Sequence, residues 1–414
     1  MSSSNFPNPR ALEPYSEWLD PRFRQLLLFQ MAFGYAYAAL ILVPKFATVS
    51  LGAGPREVGA LAACPTIATV VCAPFCGAWL DRGAHRAALI AGSLVLAVSV
   101  PAFGYLHSVG LLAYFLRVLH GVGNALVLGG AGAFVARIVP AEHRGRAFGT
   151  AGAASLMMNA AASWATERLA DAFGWGIAYE VAGGACSFAL GVALTQPEVE
   201  RLRAPHANTE ERPITGMRKR FGAGFATLAA GAGFGMLVTF TQPYALSLGA
   251  SHVASLFVGY TLTALAVRLG FGGAVDRWGP VRAGRTALAV YAATVLAAAA
   301  LQPATLFPLG LGFGFAHGLA WPALCALAVQ RAEPERAGSA LTRVQALFAA
   351  GSMLAVWLGG LIVHALGYPV AFVTVGLAVA VGALALGELP PSALFARRTS
   401  TKPEREPCSS PAGR

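Results

Sequence analysis

The apolar stretch 110–138 contains side chains that could bind an anion or exchange protons. Tyr114, Arg117, His120 and Asn124 occupy positions i, i+3, i+6 and i+10, the spacing of one face of a helix. A guanidinium presents several N–H donors in one plane, which suits carboxylates and other oxyanions. Histidine exchanges protons near neutral pH. This face is therefore predicted to bind an anionic solute and to take part in proton movement.

The composition determines which elements must position these residues. The chain has 414 residues, of which 56% are hydrophobic and 12% charged, and its mean hydropathy is +0.60. Soluble domains carry about 25% charged residues. Apolar runs of about twenty residues, long enough to cross a bilayer as helices, recur along most of this chain. The composition predicts an all-α polytopic membrane protein.

The basic residues are distributed unevenly. Of the 30 Lys and Arg residues, Lys45, Arg56 and Arg168 lie at predicted outer helix ends, and Arg117 and Arg268 lie within helices. The others fall in the tails, in the even-numbered loops or at helix ends beside them. This asymmetry predicts a multi-pass protein of the inner (plasma) membrane with both termini cytoplasmic. The net charge of +11 therefore reflects topology, and no nucleic-acid partner is expected.

Hydropathy and loop signals predict twelve transmembrane helices in two six-helix bundles. The predicted helices are 25–48, 57–80, 87–107, 110–138, 147–168, 173–195, 221–247, 252–275, 284–303, 305–330, 338–364 and 368–388. The bundles span 25–195 and 221–389, and a polar cytoplasmic linker at 196–220 joins them. Residues 1–24 form a cytoplasmic tail, and 390–414 are expected to be a disordered cytoplasmic tail.

Short motifs recur half a chain apart. The repeated pairs are SLGA at 50–53 and 247–250, His-Gly at 120–121 and 317–318, FGWGIAY at 173–179 with LGYPVAF at 366–372, and Gly-x-x-x-Asp-Arg at 77–82 with Gly-x-x-Val-Asp-Arg at 272–277. A nearly constant offset in matching helices indicates duplicated halves. Parallel halves related by an axis along the membrane normal are an architecture of transporters.

With these motifs the sequence resembles the major facilitator superfamily of secondary transporters. The family signature after the second helix is Gly-x-x-x-Asp-Arg-x-Gly-Arg-Arg/Lys. Its first copy here supplies Gly77, Asp81, Arg82 and Arg86, with Ala84 and His85 at the positions of Gly and Arg. The second copy supplies Gly272, Asp276, Arg277 and Gly279. A fourth-helix motif, Arg-x-x-x-Gly, matches Arg117 and Gly121.

Two further features concern the branch of the family. The segments TFTQPYALSLGA and VRLGFGGAVDRWG resemble the seventh and eighth helices of arabinose-efflux-permease-like transporters. The fifth predicted helix lacks the proline-containing motif that is usual in drug–proton antiporters. The resemblance therefore favours an efflux-type scaffold more strongly than it favours drug antiport.

The resemblance implies a cytoplasmic gate between the halves. In the family the first motif faces the start of the eleventh helix and the second faces the start of the fifth, so Asp81 is expected near Gly338 and Asp276 near 145–147. Such contacts would hold the cytoplasmic ends together when the outer side is open. The expected gate residues are Gly77, Asp81, Arg82, Arg86, Arg144, Arg268, Gly272, Asp276, Arg277, Gly279 and Arg336.

The resemblance also implies a central cavity lined by the first, fourth, seventh and tenth helices. Its expected residues are Gln30, Tyr37, Lys45, Tyr114, Arg117, His120, Asn124, Thr239, Gln242, Tyr244, His317 and Trp321. These four helices contain no Asp or Glu, so the cavity is expected to favour an anionic solute. His120, His317 and Glu180 are the candidates for proton coupling. Each histidine could instead bond across a helix seam, and Glu180 could pair with Arg117 or lie in interfacial water.

The sequence therefore predicts a monomeric secondary active transporter that moves a small organic solute by alternating access, with proton coupling and with export favoured. Walker motifs, a nucleophile constellation and a metal cluster are not found in the sequence, so no enzymatic activity, metal or cofactor is expected. Two alternatives remain open: a proton-coupled uptake symporter of a metabolite, and a non-transporting membrane sensor on the same scaffold.

Overall fold

The computed structural model describes residues 20–139, 144–196, 217–270, 274–331 and 337–386, and the regular elements within these ranges are helices. They are α1 (Pro21–Ile41), α2 (Val43–Ser50), α3 (Pro55–Asp81), α4 (His85–Gly104), α5 (Leu111–Ile138), α6 (Arg144–Thr195), α7 (Met217–Ser247), α8 (Ala254–Gly270), α9 (Ala274–Trp278), α10 (Pro280–Ala297), α11 (Leu306–Gln330), α12 (Ala337–Leu366) and α13 (Tyr368–Ala385). The helix predicted at 25–48 is divided between α1 and α2 at Leu42. Pro44 cannot donate a hydrogen bond to the preceding turn, which accounts for this break.

Ten segments of the described chain are long and apolar enough to cross a membrane. One of them, Thr150–Thr195, contains two crossings, because Gly174 has φ 86° and ψ 163° and interrupts the helix there. Ala254–Gly270 is a shorter apolar helix. With that break and this helix included, the described chain has twelve apolar segments, and the predicted all-α multi-pass fold is confirmed.

The helix ends define two faces of the molecule. The terminal face contains Asp20 and Leu386, the first and last described residues, and the distal face contains the ends that point the other way. The sequence repeat extends to backbone conformation at the distal face. Gly52 and Gly249, at matching positions of the SLGA motifs, have φ of 64° and 87°. Gly174 and its counterpart Gly367 have φ of 86° and 85°, a region that favours glycine.

Helices α1 to α6 pack mainly with one another, and so do α7 to α13, with α3–α12 and α6–α8 as the larger contacts between the two sets. Glycines allow the closest approaches. A Cβ at Gly231 of α7 would lie 1.9 Å from the Phe348 carbonyl oxygen of α12, and one at Gly351 would lie 1.9 Å from the Leu228 carbonyl oxygen. Reciprocal small residues of this kind let two membrane helices pack backbone to backbone.

Gly231→Ala is therefore expected to lower the free energy of unfolding by about 1–3 kcal/mol, the usual cost of overpacking. Gly152→Ala is the matched control, because a Cβ at Gly152 meets nothing within 4 Å. Thermal unfolding of the two purified variants in the same detergent measures the difference. Equal melting temperatures would show that the α7–α12 contact is not the close approach described here.

Candidate solute-binding site

A cavity of about 250 Å³ lies between the two sets of helices. Within the described residues its walls come from α1, α2, α3, α5, α7 and α12. The lining residues are Tyr37, Leu40, Ile41, Pro44, Ala62, Pro65, Thr66, Thr69, Val70, Arg117, Asn124, Leu128, Phe234, Gly235, Val238, Thr239, Ala349, Ser352 and Val356. The tenth predicted helix, α11, was expected to line the cavity, but its described residues lie behind that lining. The walls supplied by α3 and α12 take its place.

Arg117 is the one charged side chain among the described lining residues. It is 7% exposed, and its Nε donates to the Leu61 carbonyl oxygen at 2.9 Å. Its Nη1 lies 3.3 Å from His120 Nδ1, and its guanidinium lies 5.9 Å from the centre of the Phe103 ring. These contacts engage two of the five N–H donors of a guanidinium and hold the group in place. The remaining donors are available to a solute in the cavity.

Uncharged polar groups surround this guanidinium. Tyr37 is 41% exposed although it lies on a membrane-spanning helix, because it faces the cavity. Asn124 is buried, and its Oδ1 has no hydrogen-bond partner among the described residues. Thr239 and Ser352 add hydroxyl groups from α7 and α12. A primary amide both donates and accepts hydrogen bonds, so the cavity combines one fixed cation with adaptable polar groups.

Helical geometry explains which of the residues predicted on α5 reach the cavity. At about 100° per residue, Asn124 and Leu128 lie within about 20° of Arg117 around the helix, and all three line the cavity. Tyr114 and His120 lie about 60° to either side. His120 is fully buried and packs against Phe103, with ring centroids 5.5 Å apart. Of the predicted polar face, Arg117 and Asn124 therefore line the cavity, and Tyr114 and His120 lie to either side of that lining.

The expected cavity residues that the structure places outside the lining are Gln30, Lys45, Tyr114, His120, Gln242, Tyr244, His317 and Trp321. Several of them tie helices together. Gln242 Nε2 donates to the Ile41 carbonyl oxygen at 2.8 Å, across the α7–α1 seam. The Tyr244 hydroxyl donates to the Ala299 carbonyl oxygen at 3.2 Å. These contacts account for their polarity without a solute.

His317 lies in an aromatic cluster behind the cavity wall. Its ring centroid is 5.1 Å from Phe234, 5.8 Å from Phe348, 5.9 Å from Tyr260 and 6.5 Å from Trp321. Phe234 lines the cavity and packs against the imidazole ring, and His317 is not among the described lining residues. His317 and Trp321 are thus part of a packed cluster within the second set of helices.

Glu180 was a candidate partner for Arg117, but the structure gives it another contact. Its carboxylate accepts a hydrogen bond from the Tyr105 hydroxyl at the distal face, where Glu180 is exposed. This hydrogen bond raises the pKa of Tyr105, so the hydroxyl remains a donor at neutral pH. The described contacts therefore fit the interfacial alternative for Glu180.

Much of the predicted gate lies outside the described residues. This applies to Gly272 and Arg336 entirely, and to the side chains of Asp81, Arg144 and Asp276. The gate therefore stays a prediction.

The structure does describe other members of the expected gate. Arg86 Nη2 donates to the Leu194 carbonyl oxygen at 2.6 Å, which joins α4 to the end of α6 within one set of helices. Arg82 and Arg277 are exposed at the terminal face, with Gly77 and Gly279 in open surroundings, and Arg268 is half-buried. The basic side chains of these residues therefore lie near the terminal face, where the family places this motif.

Sequence reasoning missed a buried ion pair of the first set of helices, which lies where this set meets the start of α8. Lys45 Nζ lies 2.5 Å from Glu167 Oε1, and these side chains are 5% and 3% exposed. Glu167 was overlooked because it stands beside Arg168 at a predicted helix end, where an acid normally meets water. The usable signal was Lys45 itself, because a lysine in an apolar segment requires a counter-ion.

The chain was compared with known proteins. The Major Facilitator Superfamily profile matches residues 26–317 and 223–410. Multidrug resistance protein 1 of Bacillus subtilis (strain 168) is 27% identical over 249 residues, which cover 57% of this chain and 59% of that protein.

Solved structures agree in fold. The nucleoside transporter NupG has a TM-score of 0.72 at 14% identity, covering 90% of this chain and 99% of that one. The human organic anion transporter MFSD10 (TETRAN) has a TM-score of 0.65 at 17% identity, covering 89% and 99%. Because the family profile extends over both sets of helices, the chain belongs to the Major Facilitator Superfamily, a family of membrane transporters and not of enzymes.

Proposed function

We propose that this protein exports a small organic anion by alternating access. The observation that carries the proposal is Arg117, the one charged side chain among the described lining residues of the cavity. A buried guanidinium that is not neutralised by an acid is costly in a membrane protein and usually marks a functional site. A carboxylate of the solute would supply the missing charge and accept two parallel hydrogen bonds.

The cavity also limits the size of the solute. Its volume of about 250 Å³ is below the about 300–1,000 Å³ typical of pockets for drug-sized ligands. The Asn124 amide and the Tyr37 hydroxyl can donate hydrogen bonds to a carboxylate. Phe234, Val238 and Leu128 offer an apolar surface beside them. A small aromatic or branched carboxylate fits this combination of charge, polarity and volume.

The movement we propose is rocking of bundle 25–195 against bundle 221–389 around this cavity. The basic residues favour a cytoplasmic terminal face and insertion in the inner (plasma) membrane as a monomer. At the distal face the bundles touch: a Cβ at Gly59 would lie 2.7 Å from the Val356 carbonyl oxygen, and one at Gly360 would lie 2.7 Å from the Pro55 carbonyl oxygen. This arrangement suits loading of the solute from the terminal side.

Export is supported by the name of the relative above, a multidrug resistance protein, and an efflux-type branch is supported by the segments TFTQPYALSLGA and VRLGFGGAVDRWG. The test is transport by the purified protein in liposomes of small aromatic carboxylates and of lipophilic cations of matched size. We expect flux of the carboxylates and none above empty liposomes for the cations. Transport restricted to the cations would contradict the proposal.

A second candidate, proton-coupled uptake, is favoured by the 3.3 Å contact between Arg117 Nη1 and His120 Nδ1. An anion on Arg117 would offset the positive charge that opposes protonation of His120, so anion and proton would bind together and move in the same direction. An acid exterior would then drive accumulation of the solute. If an acidic exterior drives uptake of the solute, and not its exchange or release, this candidate is favoured over export.

The two histidines are expected to differ under an imposed pH gradient. His120→Gln should remove the dependence of anion flux on that gradient while exchange without a gradient continues, because His120 contacts Arg117 directly. His317→Gln should leave the dependence in place, because His317 packs against Phe234 and is not among the described lining residues. If flux through the unmodified protein does not change with the imposed pH gradient, proton coupling is contradicted. Absence of any flux would favour the sensor alternative.

A further inference from the structure

We infer that a cluster at the distal face, here called the distal clamp, is a proton-operated lock between the two bundles. The distal clamp consists of Lys45, Glu167 and the backbone of Ser251, Val253 and Ala254. Protonation of Glu167 releases it and lets the distal face open. The inference rests on the proposed alternating-access function and adds the site at which protons control it.

Glu167 holds the clamp together from the first bundle. Its Oε1 accepts a hydrogen bond from Lys45 Nζ at 2.5 Å and one from the Val253 amide at 2.8 Å. Its Oε2 accepts from the amide of Ala254 at 2.9 Å. Ala254 is the first residue of α8, so the carboxylate caps this helix and meets the positive end of its dipole.

Lys45 crosses between the bundles as well. Besides Glu167, its Nζ donates to the Ser251 carbonyl oxygen at 2.8 Å. Three hydrogen bonds therefore join α2 and α6 of the first bundle to the segment that opens α8 in the second, and all three depend on charged groups. Lys45 and Glu167 are 4% and 2% exposed, so these bonds are shielded from water.

Protonation of Glu167 changes each of these contacts for the worse. The three groups that face its carboxylate are all donors, and a protonated carboxyl turns one acceptor oxygen into another donor. Lys45 would then keep its charge in a buried place without a counter-ion, which is strongly unfavourable. Separation of the distal ends relieves this, because water then reaches the ammonium group.

Three other charged or titratable groups face the clamp. His252 Nδ1 lies 3.4 Å from Asp171 Oδ2 and 4.0 Å from Glu167 Oε2, and His252 and Asp171 are each about half exposed. A positive charge on His252 would attract both carboxylates, so His252 opposes opening of the clamp. Arg168 lies over the Trp164 ring, 5.9 Å from its centre.

Protons can reach Glu167 from the distal side. A cavity of about 270 Å³ is lined by Glu167 together with Trp164, Arg168, His252 and Phe307, of which the aromatic residues are largely exposed. The proton on Glu167 therefore exchanges with the distal solution. In the proposed exporter, acid at that side would favour the state from which the solute leaves.

Distances between spin labels on the purified full-length protein test the lock. In a background with its native cysteines replaced, one pair is placed at Val49 and Leu248, exposed distal ends of the two bundles, and another at Leu194 and Phe221, exposed near the terminal face. Distances are recorded between about pH 8 and about pH 3.5, a range that includes the usual pKa of a glutamate carboxyl, about 4.3. We expect acid to increase the long-distance population of the distal pair and to shorten the terminal pair.

Glu167→Gln imitates the protonated carboxyl, and it should raise the open-to-closed ratio of the distal pair at least about tenfold at neutral pH, a usual size for such coupling. The ratio should then no longer rise with acid. Glu180→Gln is the matched control, since Glu180 is an exposed acid of the same helix that bonds to Tyr105. His252→Gln should remove the attraction of His252 for the two carboxylates and should keep the opening of the distal pair with acid. Distances in Glu167→Gln that match the unmodified protein at every pH would overturn the inference.

These measurements need no solute, so the two proposals can fail separately. Distal distances that depend on Glu167 in a protein that moves no organic anion would leave the lock in place and overturn the proposed solute. If the protein transports the anion but Glu167→Gln does not change the distal distances, the proposed function stands and the proposed lock is overturned.

Discussion

Arg117→Met is expected to lower the transport of organic anions at least about 30-fold at equal amounts of protein in the membrane. Removing one partner of a buried, hydrogen-bonded charge pair costs about 2–5 kcal/mol, and each 1.4 kcal/mol is a factor of ten. Arg117 supplies the one positive charge among the described lining residues, so nothing else in that lining replaces it. Initial rates in liposomes measure the loss.

Two further variants show whether a loss of transport comes from the charge of Arg117, from the shape of its guanidinium group, or from removing any arginine. Arg117→Lys keeps the charge but loses the planar group that contacts the Leu61 carbonyl and His120 together, so it should recover only part of the rate. Arg56→Met removes an exposed arginine of the distal face and should transport normally. Normal anion transport by Arg117→Met would remove the basis of the proposed specificity.

Lys45→Met is expected to lower the free energy of unfolding by about 3–5 kcal/mol, the cost of leaving a buried charge without its partner. Glu167 would remain 2% exposed, with two backbone amides but no cation. The variant should therefore also open the distal face. Denaturant unfolding in detergent measures the stability, with Arg56→Met again as the control.

The double variant Lys45→Met with Glu167→Gln tests whether the loss of stability comes from the interaction between these two side chains. Because neither charge then remains, the double variant should be more stable than the sum of the two single losses predicts, by an interaction energy of about 0.5–3 kcal/mol. Strict additivity would show that the 2.5 Å contact between Lys45 Nζ and Glu167 Oε1 contributes nothing of its own.

The scaffold could be predicted from the sequence because membrane-spanning helices are recognisable by their length and apolarity. The break at Gly174 lies at the start of the helix predicted at 173–195, close to the predicted boundary after 147–168, and its positive φ recurs at the matching Gly367. The division between α1 and α2 at Leu42 was not predicted, since Pro44 could also have been tolerated as a kink within one helix. Local chemistry alone does not choose between those outcomes.

The site was harder to predict, because it depends on how helices rotate and tilt against one another. Periodicity found Arg117 and Asn124, but a face defined by polarity also drew in Tyr114 and His120, which point to either side. Glu167 and Lys45 lie far apart in the chain, and their contact follows only from the packing of α2 against α6 and α8. The polar lining residues of α3 and α12 are small hydroxyl residues, Thr66, Thr69 and Ser352, which did not distinguish these helices from packed seams.

The central claim is that a negative charge on the solute is recognised by Arg117. Its most direct test is counterflow in liposomes of a labelled small aromatic carboxylate and of its uncharged carboxamide, each with the unmodified protein and with Arg117→Met. The account predicts that only the carboxylate is transported, and only when Arg117 is present. Equal transport of the carboxamide by the unmodified protein, or undiminished transport of the carboxylate by Arg117→Met, would contradict it.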